Sequence, residues 1–449
     1  MMRGRQQTIG ATLWICVAAA AGAGGAPHSH AQDVTYQQHI APIVAEHCTS
    51  CHREGQGTPF ALEHYRDVRR RARQIERVTQ SRYMPPWLPA NGIGDFIGRR
   101  QLTAEEIERI SEWVAGGALE GAGPPPPSPV VTPTRPAPAF ILGDEASFTV
   151  PAEGLGRYHT VVFPVAEREL RYLRGLEFLP SDPSVVHGAM FVADPSGLAT
   201  QFDDETPEAG FPSVANFGVH LAGSLGGSAF GGVLPLLPAG YGWAVPPGAP
   251  IAVELHLNCI GREVPLRSRL AVYLPEEPVT HPVTTVAFGN LCVDIPPNTT
   301  DHRVSAEYVC PVDLELLGVL PQSYFVAQRI EIAAESPAGT TQHLLRILDW
   351  DCSWMQSYCY RTPLRLAAGT RIRAEFHYDN SPANLQNPYS PPRRVGAGHY
   401  LDGELPLVLL HVAPRAVDDL ARLEASHRQG FADRLAQLRA WRAAKGARE

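Results

Sequence analysis

Four consecutive prolines, Pro124-Pro125-Pro126-Pro127, lie inside a Pro-rich stretch at residues 121–139 and split this 449-residue chain into two regions of different grain. Proline fixes φ and supplies no backbone N–H, so such a run neither continues a helix nor joins the middle of a sheet. It predicts extended polyproline and a semi-rigid spacer. Before it the pattern is helical. Gln101-Leu102-Thr103-Ala104-Glu105-Glu106-Ile107 reads as a helix start, with Thr103 as N-cap and Glu106 three positions on. Leu102, Ile107, Ile110, Trp113 and Val114 then repeat at helical spacing. After the spacer, residues 140–412 read as short strands and turns. Residues 252–258 alternate, with Val253, Leu255 and Leu257 on one face and Glu254, His256 and Asn258 on the other. Residues 158–165, 185–192, 270–274, 284–288 and 371–378 read similarly. Strands at this density, with 42 Pro and 40 Gly to turn them, predict sandwiches or jelly rolls. The length suffices for two, with a seam near residues 278–282. Residues 416–447 predict a solvated or docking helix with an apolar stripe of Leu420, Leu423, Phe431, Leu435 and Leu438. The expected architecture is multidomain. A small all-α unit (33–121) and the spacer (122–139) precede two β-sandwiches of jelly-roll type (140–280 and 281–413) and a C-terminal helix (414–449).

The first region carries Cys48-Thr49-Ser50-Cys51-His52. Two thiols three positions apart, followed at once by an imidazole, is the spacing that attaches a c-type haem. Each thiol adds to a vinyl group, and His52 reaches the iron as proximal ligand. A zinc site would want a second Cys/His pair nearby, and the next cysteine is Cys259. A thioredoxin-like motif would want a βαβ context. For the sixth ligand the sequence offers Met84, the one methionine left in the N-terminal third after export. It lies in Tyr83-Met84-Pro85-Pro86-Trp87, where the prolines hold an extended loop and let the thioether point inward. Packing filler is the alternative role for Met84, and His47 and His64 are rival ligands. Over about residues 33–123 the chain resembles class I c-type cytochromes, which implies one covalent haem c and electron transfer.

Arg3 and Arg5 precede an apolar run at residues 9–23, and Ser29-His30-Ala31 offers small residues for cleavage. Residues 1–31 therefore read as a secretory signal peptide with no membrane span beyond it, and the mature protein is expected in the periplasm or outside the cell. A net charge of -8 gives no case for nucleic acid. Setting aside Cys16, Cys48 and Cys51 leaves Cys259, Cys292, Cys310, Cys352 and Cys359. Local pairing would join Cys292 with Cys310 and Cys352 with Cys359, a connectivity the sequence leaves open.

The β region holds Ser184-Val185-Val186-His187-Gly188-Ala189-Met190-Phe191-Val192, Trp243-Ala244-Val245-Pro246-Pro247-Gly248 and Val253-Glu254-Leu255-His256-Leu257-Asn258. Later come Ile347-Leu348-Asp349-Trp350-Asp351, Phe376-His377-Tyr378-Asp379-Asn380-Ser381 and Asn387-Pro388. Across residues 140–412 this ensemble resembles the copper type II, ascorbate-dependent monooxygenases, such as the peptidylglycine α-hydroxylating and dopamine β-monooxygenases. The resemblance implies two β domains with one copper each. One copper would use a tandem His-His and a later His. Here His187 and His256 match the first and last, and Gly188 stands at the second. His220 is a possible substitute third ligand, with Met355 a looser one. The other copper would use His-x-His and a Met, and those positions hold Gln322, Tyr324 and Leu405. Gln and Tyr are poor replacements for imidazole on copper. His377 reads as a structural residue near a strand end.

Three functions follow as expectations. The first is an electron-transfer haem protein with a redox partner protein, whose monooxygenase-like module has lost its hydroxylase chemistry. The second is a copper monooxygenase that hydroxylates a small substrate and takes electrons from the tethered haem. The third is a ligand- or partner-binding β module with haem redox sensing, since fold alone does not decide function.

Overall fold

The computed structural model describes residues 34–123, 135–143, 146–154, 157–165, 172–213, 223–228, 233–398 and 403–446. The expected signal peptide, most of the Pro-rich spacer and His220 lie outside the described residues. What is described is mostly β-sheet, with short helices at the N-terminal end and one long helix at the C-terminal end. Among these helices none is long and apolar enough to cross a membrane.

The N-terminal unit packs the helices Ala41–His47, Tyr65–Arg70, Ala72–Gln80 and Ala104–Ala115 around Ile40, Val44, Val68, Ile75, Ile110 and Trp113. The helix expected after Thr103 begins there with a full capping box. The Glu106 N–H donates to Thr103 Oγ1 at 3.2 Å, and the Thr103 N–H donates to the Glu106 carboxylate at 2.8 Å. Trp113 Nε1 donates to the Leu119 carbonyl, which also accepts from the Tyr36 N–H, so the two ends of the unit are stitched together.

The first β unit faces a five-stranded sheet against a four-stranded one. The five-stranded sheet runs Phe211–Ser213, Arg157–Phe163, Ile251–Leu257, Val186–Ala193, Ser224–Ser228. Its partner is built on Val264–Tyr273. Between them lie Phe163, Phe178, Phe191, Val253, Leu255, Leu266 and Leu270. The alternation expected for residues 252–258 holds for the inward face. The opposite face is covered as well: Ala252 packs with Ala199 and Phe211 beside the helix Leu198–Asp204, and Glu254 is only 6% exposed.

The second β unit faces Tyr358–Leu366, Leu314–Gln322, Leu407–Pro414 and His281–Gly289 against Thr299–Val309, Arg371–Asn380, Ala327–Glu335 and Thr341–Ile347. Phe288, Leu316, Val319, Ile330, Ile332, Phe376 and Leu410 fill it. The expected seam is not a bare linker. His281–Gly289 pairs in parallel with Tyr241–Ala244, placing Val283 beside Trp243, so one six-stranded sheet runs across both units. Buried His411 adds a polar tie. Its Nδ1–H donates to Thr285 Oγ1, whose hydroxyl donates to the Ser224 carbonyl, and its Nε2 accepts from Ser357 Oγ at 2.9 Å.

The four candidate disulfide residues, Cys292, Cys310, Cys352 and Cys359, are free thiols in this structure. Cys310 turns into the second core, while Cys292 sits in the loop held by Asn290. Burial pushes the Cys310 and Cys359 thiols up to about 12, so both stay protonated at neutral pH. The C-terminal helix, Leu420–Gly446, buries Leu423 from its apolar stripe, while Phe431, Leu435 and Leu438 are partly exposed. It is held by two polar side chains on one strand residue. The Ala287 N–H donates to His427 Nε2 at 3.0 Å, and Arg434 donates to the Ala287 carbonyl at 2.7 Å.

The helical unit is docked, not loosely tethered. Residues 85–100 run along the second β unit with bridges at Pro89–Ile347 and Phe96–Tyr360. Backbone bonds join Ala90 N–H to the Arg346 carbonyl, Ile97 N–H to the Cys359 carbonyl and Arg361 N–H to the Asp95 carbonyl. Phe96, 2% exposed, belongs to the second β core.

Candidate cofactor site

The helix Ala41–His47 continues into a tight turn through the Cys-x-x-Cys-His motif. The Cys48 N–H donates to the Val44 carbonyl, and the N–H groups of Cys51 and His52 both donate to the Cys48 carbonyl. Positions i, i+3 and i+4 of such a turn share a face. Cys48, Cys51 and His52 accordingly line one cavity of about 270 Å³. His52 Nδ1 lies 3.0 Å from the Phe60 carbonyl. A carbonyl only accepts, so Nδ1 carries the proton and Nε2 is left with the lone pair a metal needs. Burial lowers the pKa of His52; the Phe60 hydrogen bond opposes this and the Arg71 guanidinium adds to it. The ring stacks on Phe60 at 4.8 Å, and Arg71 covers Phe60 from 4.0 Å.

Met84 lines the same cavity, along with Ile75, Val78, Pro85 and Pro86. Its N–H donates to the Val78 carbonyl, which ties the loop to the end of the helix Ala72–Gln80. Of the rival ligands, His47 borders the cavity but directs Nε2–H to the Glu106 carboxylate at 3.2 Å. Burial alone would raise the Glu106 pKa, yet hydrogen bonds from Thr103 and His47 hold it below the usual carboxylate range. His64 is exposed ahead of the helix Tyr65–Arg70 and outside the cavity lining. Two thiols, an imidazole with its lone pair on Nε2, a thioether and a wall of Phe60, Leu62, Ile75 and Val78 fit a covalent haem.

Arg100, His187 and Trp354 also line the cavity. His187 reaches it because of an irregularity in its strand. His256 pairs with Gly188 and Leu257 with Val186, so His187 is the extra residue of a bulge, the device by which a strand re-aims a side chain. His187 Nε2–H donates to the Ser353 carbonyl at 2.6 Å, and its ring meets Trp354 at 5.4 Å. Both partners belong to the turn Cys352–Trp354 of the second unit, which Asp351 caps. The cavity therefore stands where all three units meet.

The expected copper ligands are partly brought together. His187 and His256 meet edge to face at 4.9 Å, and His256 stacks on its cross-strand neighbour Tyr158 at 4.8 Å. Burial pushes His256 down to about 3, with His187 adding; burial also lowers His187, against pulls from the Ser353 carbonyl and Asp351. Among the described residues no three His, Cys, Asp or Glu side chains gather as a metal-holding group. At the second position, Tyr324 and Leu405 pack in one apolar cluster with Leu320 and Leu407, against which Tyr158, Met190 and Met355 also lie. Gln322 and Ser323 are buried. Glu404, 1% exposed, accepts from Ser323 Oγ and from the N–H groups of Tyr324 and Val326. Burial raises it to about 7 despite those donors. The donors at the described copper positions do not fit a copper centre, because His187 is spent on a carbonyl, His256 has no second free imidazole beside it, and at the second position Tyr324 and Leu405 pack in an apolar cluster while Glu404 is engaged by Ser323 and backbone N–H groups. His377 lies within Arg371–Asn380, between the Asp301 carboxylate at 2.7 Å and that of Glu375 at 2.9 Å.

Arg100, Gln356, Trp354 and Phe60 are site residues that the sequence pattern did not mark. Arg100 donates to Gln356 across 256 positions of chain, and no local spacing signals such a pair.

No family model matches the chain, and no curated protein matches it. Among solved structures, it is similar to PNGF-II at 12% identity and a TM-score of 0.25, covering 59% of this chain and 59% of that one. It thus spans under two thirds of that protein's length. The major capsid protein P2 from Bacteriophage PM2 aligns at 9% identity and a TM-score of 0.19, over 55% of this chain and 99% of its own. A two-domain protein with unknown function from Bacteroides fragilis NCTC 9343 aligns at 8% identity and a TM-score of 0.16, over 57% of this chain and 85% of its own. Likenesses this slight carry no argument about function.

Proposed function

We propose that the protein is an exported monohaem c-type cytochrome that exchanges electrons with a redox partner protein, and that its monooxygenase-like jelly-roll pair serves as a wall and docking scaffold for the haem and not as a hydroxylase. The observation that carries this reading is that Cys48, Cys51, His52 and Met84 line one apolar cavity. A haem held by Cys48, Cys51, His52 and Met84 would supply one-electron exchange between ferric and ferrous iron. The chain's own residues would do the rest. Cys48 and Cys51 anchor the macrocycle by thioether bonds. Phe60 holds His52 in the tautomer that presents Nε2. The loop of Met84, Pro85 and Pro86 would bring a thioether to the same cavity. His187 and Trp354 keep water from that side of the cavity.

The test is expression of the full chain in a host that attaches c-type haem, followed by intact mass and a pyridine haemochrome spectrum. The expected result is one haem per chain, retained after denaturation and lost as a covalent adduct when Cys48 and Cys51 are both changed to Ser. A chain that matures without haem would contradict the reading.

A further inference from the structure

We propose that Arg100 anchors a propionate side arm of the haem, and that Gln356 of the second β unit holds Arg100 in position to do so. The inference rests on the haem reading above and extends it to a residue outside the attachment motif. A haem brings two carboxylates into its pocket, and a carboxylate leaves water at high cost unless a cation or strong donors receive it. Among the described residues lining the cavity, Arg100 is the only Lys or Arg, and none is Asp or Glu. Apart from imidazoles, the wall's other polar side chains, Gln74, Tyr83, Thr58 and Thr79, are neutral. Planar guanidinium matches carboxylate geometry and strengthens the bond through its charge.

The setting holds the guanidinium in place. Arg100 stands between two fixed points, the Phe96–Tyr360 bridge and the capped start of the helix Ala104–Ala115. Its Nη2 donates to Gln356 Oε1 at 3.1 Å, and Gln356 is 9% exposed. An amide is neutral, so Gln356 orients the guanidinium without discharging it. Burial costs Arg100 stability in its charged form, and its pKa is lowered accordingly; an anion in the cavity would offset that cost. Gln356 thus acts as a positioning residue, through which the β module bears on the haem.

A cation paired with a propionate offsets negative charge on the haem and so disfavours the more positive ferric state, and Arg100 should therefore raise the reduction potential. The experiment is spectroelectrochemical titration of the full haem-loaded chain, comparing wild type with Arg100→Leu, Arg100→Lys and Gln356→Leu at matched haem content. Arg100→Leu should shift the midpoint downward. Arg100→Lys should keep most of the wild-type value, and Gln356→Leu should fall between wild type and Arg100→Leu. A wild-type midpoint in Arg100→Leu would overturn the proposal. If Arg100→Leu does not fold, an unshifted midpoint in Gln356→Leu would overturn the positioning claim. Absence of covalent haem from the wild type is a separate result, seen before any titration, and would remove the haem reading itself.

Discussion

At the residue scale, what the sequence disclosed and what it hid follow from distance along the chain. Cys48, Cys51 and His52 fall within one turn, so their shared face is implied by spacing, and they share a cavity wall. Met84 was reachable by elimination, since few methionines were available. The orientation of His187 was not legible, because it depends on a bulge between two strands and on a carbonyl 166 positions away. Met84→Ala in the haem-loaded protein should abolish the weak far-red absorbance band of Met–iron ligation in the oxidised state, and an unchanged band would assign the sixth position elsewhere. The buried histidines set a pH dependence. Burial pushes His411 down to about 4. The unfolded chain takes up its proton near the ordinary histidine pKa, and the folded chain does not, so stability falls as pH drops from about 6.5 toward 4, by on the order of 3 kcal/mol for this group. His256 acts in the same direction and Glu404, with its raised pKa, in the opposite one. Urea midpoints should decline across that window, and His411→Gln should flatten the decline. A midpoint that rises on acidification would contradict this.

Among the elements, alternation and capping were readable because they are local. The helix after Thr103 formed with the expected box, and Thr103→Ala should cost about 1 kcal/mol, measured as a lowered urea midpoint. The second face of Ile251–Leu257 was only half legible: alternation put Glu254 and His256 on the face opposite the core residues, and the helix Leu198–Asp204 covers that side at Ala252, with Glu254 buried as well. The polar residues there mark crowding that no period-two pattern reports. The loop at residues 85–100 is the element with the largest unannounced role. Phe96 leaves the helical unit to join the core of the second β unit. Phe96→Ala should cost about 3–5 kcal/mol of docking energy. In thermal melts the haem band and the β circular dichroism signal should then separate, whereas they should coincide in the wild type. Coincident melting in the variant would show that Phe96 does not couple the two.

For the whole molecule, the all-β body with its terminal helix was foreseeable from strand density and the helical stripe. The sheet shared across the seam was not, because it needs Tyr241–Ala244 and His281–Gly289 to pair in parallel over a long connection. Nor was the three-way junction, where Arg100, His187 and Trp354 from separate units close one cavity. On the proposed reading, His187 lines a haem pocket and holds no copper. Elemental analysis of the purified, haem-loaded full chain, after copper loading and desalting, tests it most directly. The account predicts one iron and no retained copper per chain. Stoichiometric copper, lost in His187→Ala or His256→Ala, would contradict it.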